Sequence, residues 1–314
     1  MSPSYSRPFG RIQPWPRRIR RTPPLSPAIL AVMQPDPTVI NAWRDSAPFW
    51  EKHREIIRQM FAPVTSALVE DGLIGSGHAV LDIATGPGEP ALTIASLVEP
   101  EGRVFGIDPV RDMVEAARRE ANHLGLRNAQ FDVGVADHLR FPADTFDAVV
   151  SRFGVMFFPS PADSVREMLR VLKPGRKVAM AVWHFEERNP YSYMLSRIIE
   201  RYVNSPLPAA DAPEPLRFAR PGKLRDVLIE AGAAAPSERL LQFTIQAPIT
   251  VEDFWTLRNE ISETVREKLA RLSAEQLTEV KRQALAAYRE YSTARGMSFP
   301  AEVLIVSGYK NGPA

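Results

Sequence analysis

Two acids and two glycines mark the first place where this chain could do chemistry. In Ala79-Val80-Leu81-Asp82-Ile83-Ala84-Thr85-Gly86-Pro87-Gly88-Glu89-Pro90 a short apolar run leads into a glycine-rich turn, and Asp108 lies 20 residues beyond Gly88. Gly86 and Gly88 let the backbone bend sharply and approach a ligand where a Cβ would intrude. A carboxylate at the tip of the following strand can accept both hydroxyls of a ribose. A Gly-x-Gly by itself is also what an ordinary tight turn looks like. With a strand before it, a helix after it and the acid further on, the set points to a crevice for an adenosine-type cofactor.

The elements that must hold these residues alternate. Residues 91–98 read as a helix with Pro90 in its first turn, where no intrahelical partner for an N–H is needed, and Pro100 beyond its end. Residues 103–107 form a second strand. Met113, Ala116 and Ala117 share one face of a helix that runs to about Leu124 and closes at Gly125. Residues 129–133 are a third strand and 146–153 the fourth with its exit. Ser160-Pro161-Ala162-Asp163 reads as a capping box opening a helix over 165–172, and Pro174-Gly175 turn the chain into a fifth strand over 177–183. Strands alternating with helices predict an α/β fold with a parallel sheet covered on both faces, whose ligands lie beyond the carboxyl ends of the strands.

Around this core, residues 38–78 carry apolar and aromatic residues interleaved with charge, the pattern of amphipathic helices that could cover the crevice. Residues 190–219 combine a tyrosine-rich helix over 191–202 with Pro206, Pro208, Pro213 and Pro215, which suits a lid and hinge and equally a surface excursion. Residues 220–314 hold a helix over 223–230, a strand over 240–245, two helices within an insertion at 251–291, capped by Thr250 and Ser273, and a last strand over 303–306.

The 314 residues contain no cysteine, which removes disulfides, thiolate metal sites and a cysteine nucleophile from consideration. No apolar run has the length to cross a membrane. The net charge of +2 is uneven: residues 1–37 hold six arginines against Asp36, with nine prolines, so this stretch is +5 and the rest −3. Such a stretch is expected to be a disordered basic tail, either dispensable or able to grip an anionic partner, and Met33 offers an alternative start. A nucleic-acid function would need the basic character to continue onto the folded part, and it does not.

Leu81-Asp82-Ile83-Ala84-Thr85-Gly86-Pro87-Gly88-Glu89-Pro90, Gly106-Ile107-Asp108, Phe146-Asp147-Ala148-Val149, Gly154-Val155-Met156-Phe157-Phe158 and Arg170-Val171-Leu172-Lys173-Pro174-Gly175 stand in this order within about a third of the chain. Residues 79–183 thereby resemble the core (79–189 with its exit) of a class I S-adenosylmethionine-dependent methyltransferase, especially the ubiquinone/menaquinone-biosynthesis-like (methyltransferase type 11) small-molecule group. The resemblance implies a Rossmann-like sheet of seven strands, mostly parallel with an antiparallel last strand, plus helical lid elements. A nicotinamide dehydrogenase would usually carry a third glycine where Ala91 stands.

For S-adenosyl-L-methionine the resemblance implies Asp82, Thr85, Gly86 and Gly88 around the methionine portion and Asp108 with Pro109 at the ribose. Ala136 and Asp137 fall near adenine, where Asp137 could accept from the exocyclic amine or serve only as a loop or helix cap; Met113 packs against adenine or fills the helix–sheet core, and Ser151 lies beneath the cofactor. Arg152 would bind the cofactor carboxylate, position the acceptor, or form a structural ion pair. Gly175-Arg176 replaces the two glycines of many relatives, at the end of the sheet away from the crevice. If the acceptor needs a base, His184 beyond the fifth strand, with Glu186 and Glu187 to orient it, is the first choice and His53 the second; a packing role is the alternative for both.

The aromatic residues near this region suggest an apolar or aromatic small-molecule acceptor, of the kind found in secondary metabolism, methylated on oxygen or carbon. The remaining expectations are a cytoplasmic location, no metal, no nucleic-acid partner and room for a homodimer. RNA or protein methylation guided by the tail, and a non-catalytic cofactor-binding role, are the alternatives.

Overall fold

The computed structural model describes residues 37–204 and 211–312; the arginine-rich stretch before Pro37, and Pro206 and Pro208 of the expected hinge, lie outside them. Three helices come first, α1 (Pro37–Lys52), α2 (Arg54–Met60) and α3 (Ala62–Asp71). Strand β1 (Ala79–Ile83) then leads through the glycine turn into α4 (Ala91–Val98), β2 (Arg103–Asp108), α5 (Arg111–His123) and β3 (Ala129–Val133). The chain continues through β4 (Phe146–Arg152), α6 (Pro161–Val171), β5 (Leu172–Trp183) and α7 (Pro190–Ile199).

The strands run in the order β3-β2-β1-β4-β5-β8-β6, with the two-residue β7 (Ser292–Thr293) beside β8. The pairs from β3 to β5 are parallel, while β8 (Gly296–Tyr309) lies antiparallel between β5 and β6 (Ala234–Ala247). The implied sheet is therefore present. Parallel pairing demands cover on both faces, and β4 is buried along its length up to Arg152. Helix α5 supplies cover with one stripe, Met113, Val114, Ala116, Ala117 and Ala121, and turns its charges outward.

Several boundaries differ from the sequence expectation. Pro174-Gly175 do not precede β5 but interrupt its pairing: the register steps from Phe146↔Leu172 to Ala148↔Lys177, and Gly175 takes a φ of +73°. Arg176 there reaches Asp147 at 3.2 Å, beside Lys173 at 2.8 Å, so the departure from two glycines adds an ion pair at the end of the sheet away from the turn. Ser160 makes no side-chain cap bond, and α6 opens on Pro161 alone. The sixth and last strands are 14 residues each because they zip together from Ala234↔Tyr309 to Ala247↔Met297. The hydroxyl and amide residues Ser237, Gln242, Thr244 and Gln246 at exposed positions of β6, the edge strand, hide that length from an apolar-run search.

Helix α8 (Lys223–Glu230) precedes β6, and the insertion after it holds three helices rather than two, α9 (Val251–Ile261), α10 (Glu263–Ala270) and α11 (Ala274–Arg289). Ser262 separates α9 from α10 by accepting the Val265 amide hydrogen at 3.4 Å. These helices clasp the N-terminal ones. Trp50 Nε1 donates to the Ile261 carbonyl at 3.0 Å, Lys52 pairs with Glu260 at 2.7 Å, and Arg266 donates to Ser46 Oγ at 2.8 Å. No described helix is long and apolar enough to cross a membrane.

Candidate active site

The clasp closes over a cavity of about 310 Å³ beyond the carboxyl ends of β1, β2 and β4, a volume typical of small-molecule sites. Its floor is strained backbone. Ala84 after β1 and Phe153 after β4 both line it, with φ of +58° and +60°, a conformation that costs free energy for any residue with a Cβ. They are over-determined by their neighbours. Ser151 Oγ, fully buried, donates to the Ile83 carbonyl at 2.9 Å and binds the two strand exits together. A Cβ on Gly154 would stand 2.6 Å from both Ala84 Cβ and Ser151 Oγ, so only glycine lets the exits approach.

Asp108 ends β2 at the cavity wall. Its Oδ2 accepts the Gly86 amide hydrogen at 2.9 Å and its Oδ1 that of Val110 at 2.9 Å. Burial nevertheless pushes its pKa up to about 6, against the two backbone hydrogen bonds. Each carboxylate oxygen keeps lone-pair capacity for a ligand hydroxyl. Thr85, Gly86, Pro109, Met113, Ala136 and Asp137 line the same cavity. A Cβ on Gly86 would meet nothing within 4 Å, which leaves that turn open toward a ligand.

Asp82 and Gly88, expected around the methionine portion, and Ser151, expected beneath the cofactor, do not line the cavity. Asp82 is fully buried and does not line the cavity; its Oδ2 accepts from Thr85 Oγ1 at 2.6 Å and from the Ala91 amide at 3.2 Å, bracing the turn against α4. Its Oδ1 has no partner, and burial raises the group to about 7 despite the Thr85 bond and the charge of Arg152. Gly88, with a φ of +116°, allows close helix packing, since its Cβ would fall 2.6 Å from Leu92 Cδ1. Ser151 is the tie already described.

Arg152, at the tip of β4, does reach the cavity. Its Nη1 donates to Thr65 Oγ1 at 2.9 Å and its Nη2 to the Glu89 carbonyl at 3.3 Å, and it makes no ion pair among the described residues. Burial lowers its pKa, opposed by the charges of Glu89 and Asp82. A structural ion pair, one of the roles open to it from sequence, is not what holds it. Glu89 itself is raised by burial, opposed first by Arg152; no motif reasoning had singled it out, although it lies inside the quoted turn.

The histidines stand elsewhere. His184 is not a cavity residue: its Nδ1 lies 2.8 Å from Glu302 Oε2 on β8, so the orienting acid comes from the partner strand, not from Glu186, which pairs with Arg197, or from Glu187. His53 meets Glu260 Oε2 at 2.5 Å in the clasp, also outside the cavity. Both serve to join elements. Among the described residues no three histidine, aspartate or glutamate side chains gather as a metal site.

The rest of the wall is apolar. Phe153 stacks on Trp183 at 4.5 Å with 10° between the planes, and Trp183 on Tyr191 at 6.2 Å with 24°. Trp43, from α1, meets Phe157 edge-on at 5.3 Å. Arg258 of α9 also lines the cavity, although it belongs to no motif singled out from the sequence.

A parallel α/β sheet with its reversed strand, a glycine turn over a buried acid and a carboxylate at the second strand tip give the core of this chain the architecture of the class I S-adenosylmethionine-dependent methyltransferases. Residues 80–175 match the family described as "Methyltransferase domain". The core is related to the ubiquinone/menaquinone-type small-molecule methyltransferases: it is 33% identical over 137 residues, 43% of this chain and 53% of the relative, to the ubiquinone/menaquinone biosynthesis C-methyltransferase UbiE of Marinomonas sp.. It is 35% identical to the aklanonic acid methyltransferase DauC of Streptomyces sp. over 38% of this chain and 55% of the relative. With the uncharacterized methyltransferase YcgJ of Bacillus subtilis it shares 33% over 40% of this chain and 46% of the relative. The crystal structure of YcgJ superposes with a TM-score of 0.51 at 19% identity, covering 79% of this chain and 98% of that one, a likeness of fold. The matches span about half the length of these curated relatives.

S-adenosylmethionine is the cofactor of this class, and the residues present fit it. Asp108 offers free acceptor capacity to a diol, Gly86 leaves room for a close approach, and Arg152 is a buried cation that, among the described residues, feels the charges of Glu89 and Asp82 but meets no carboxylate at ion-pair distance.

Proposed function

We propose that this protein transfers the methyl group of S-adenosylmethionine to oxygen or carbon of an apolar or aromatic small molecule. The observation that carries the reading is one cavity lined both by polar groups suited to the cofactor, Asp108, Gly86 and Arg152, and by the rings of Phe153, Phe157, Trp183 and Tyr191. The likeness to enzymes named for a quinone and for aklanonic acid supports the same acceptor class.

Bound there, the cofactor would supply an electrophilic methyl carbon for direct displacement by the acceptor atom, its sulfonium becoming a neutral thioether while the acceptor's proton passes to solvent. Charge disperses in such a displacement, so the protein has no new strong anion to stabilise. Its part is alignment and exclusion of water. Asp108 would grip the sugar, Arg152 the carboxylate of the methionine portion, and Asp137, raised by burial, would accept from the adenine amine. The rigid floor at Ala84 and Phe153 fixes where the reacting centre falls, and the α1–α9 clasp keeps solvent out. With His184 and His53 held outside the cavity, the acceptor's own acidity or solvent takes the place of a histidine base.

Purified protein incubated with methyl-labelled cofactor and a panel of phenols, quinols and polyketide acids should label one or more of them. Transfer to RNA or peptide, with none to the panel, would overturn the reading.

A further inference from the structure

Three arginines line the cavity, and they differ in what balances them. Arg54 is paired with Glu120 at 2.6 Å, and Arg152 faces the cofactor wall from Thr65 and the Glu89 carbonyl. Arg258 has neither. Only 8% of it is exposed, its Nε is buried with no hydrogen-bond partner, and among the described residues it forms no ion pair. Its guanidinium carbon lies 4.4 Å from the centroid of Tyr191, the last ring of the Phe153–Trp183–Tyr191 stack. The phenol of Tyr288 lies beside the guanidinium, but burial raises its pKa and keeps it neutral, and a neutral hydroxyl cannot balance a charge.

A desolvated cation facing only a ring is costly, and a fold keeps one where something else supplies the anion. The position is also prepared. Thr250 caps α9, accepting the Asp253 amide hydrogen at 3.1 Å, and the next residues after Arg258 are fastened to α1 through Glu260 and Ile261. The guanidinium is thus held at the end of the aromatic stack remote in the ladder from Phe153, which follows Arg152. Glu89, the raised acid of the cavity, answers to Arg152 and Arg58, not to Arg258.

We propose that Arg258 is an acceptor-recognition residue, and that the acceptor is an aromatic anion whose carboxylate or acidic hydroxyl oxygen docks on its guanidinium while its rings lie along the cavity wall. This rests on the methyl-transfer reading and narrows its substrate class. Planar guanidinium geometry suits an oxyanion, and the cation–π contact with Tyr191 holds the group against the cavity wall.

The test is calorimetric binding to the full chain saturated with S-adenosylhomocysteine, using 2-naphthoate against methyl 2-naphthoate, and 2,4-dinitro-1-naphtholate against its methyl ether. The anion of at least one pair should bind roughly tenfold or more tightly than its neutral partner, the size expected of a charge-assisted hydrogen bond; which pair responds separates carboxylate from phenolate recognition. In Arg258→Leu that preference should vanish, and in Arg258→Lys it should be partly kept, each variant being verified as folded by its circular dichroism and thermal transition. Equal binding of acid and neutral partner in both pairs, no binding of any of the four, or a preference that survives in Arg258→Leu would overturn the assignment. Should Arg258→Leu fail to fold, Arg258→Gln, which keeps a polar side chain and removes the charge, takes its place: loss of the preference supports the assignment, and a preference equal to the parent's overturns it. Failure of the parent to bind S-adenosylhomocysteine would instead strike the methyltransferase reading beneath.

Discussion

Asp108 Oδ2 accepts the Gly86 amide hydrogen at 2.9 Å, so the acid at the tip of β2 and the glycine turn after β1 form one rigid unit. A ligand that engages the carboxylate meets a turn already set in place, and little conformational entropy remains to be lost on binding.

The charge of that acid predicts a pH profile. Burial raises Asp108 from 3.8 to about 6, and only its ionised form can hold two amides and accept two hydroxyls. Affinity for S-adenosylhomocysteine should be level above that value and fall by up to about tenfold per pH unit below it. Calorimetry from about pH 5 to about pH 8 would show it. Asp108→Asn should bind more weakly throughout with a flat profile; an unchanged slope in that variant would assign the titration to another group.

Asp82 yields a stability profile of opposite purpose. Burial raises it to about 7, so between its ordinary range and that value the folded chain holds a proton that the unfolded chain has lost. The sign follows: the contribution is complete below the unfolded pKa and is lost as pH rises through about 7, at up to about 1.4 kcal/mol per pH unit. Urea melts of Asp82→Asn, whose amide oxygen can still accept from Thr85 and Ala91, should lack this decline. Parallel curves for parent and variant would refute it.

Arg152 is expected to read the carboxylate of the methionine portion. Arg152→Leu should lose about 1.5–3 kcal/mol toward S-adenosylhomocysteine while binding of 5′-methylthioadenosine, which lacks that carboxylate, changes little. Equal losses for both ligands would assign Arg152 to packing around Phe61 and Thr65.

Helix caps separate sequence signals that are used from one that is not. Ser273 accepts the Gln276 amide hydrogen at 3.2 Å while the Gln276 side chain returns to the Ser273 amide at 2.9 Å. Ser273→Ala should destabilise by about 0.5–2 kcal/mol, whereas Ser160→Ala, where no cap bond exists, should be nearly neutral. Thermal melts of the two variants compare them directly.

These contrasts show what a linear reading can reach. One wall of the cavity was legible because its residues lie within a turn or at a strand tip, where local sequence dictates both backbone and exposure: Thr85, Gly86, Asp108 and Asp137 reach the cavity. Asp82 and Gly88 carry the same motif signal yet do not line it, because Asp82 turns inward to Thr85 and the Ala91 amide while Gly88 packs against Leu92 and Ala117. The histidines were judged by nearness in sequence. Glu302 lies 118 residues from His184 and Glu260 207 from His53, and only the folded sheet and clasp bring them together. Arg258 had no motif at all; a cation without a counter-ion becomes visible only when its neighbours are known.

Calorimetric titration of the full chain with S-adenosylhomocysteine, beside a matched titration with NAD, tests the central claim most directly. One site per chain for the former and no heat from the latter is the predicted result. No association with S-adenosylhomocysteine on verified folded protein, or displacement of it by NAD, would contradict the account.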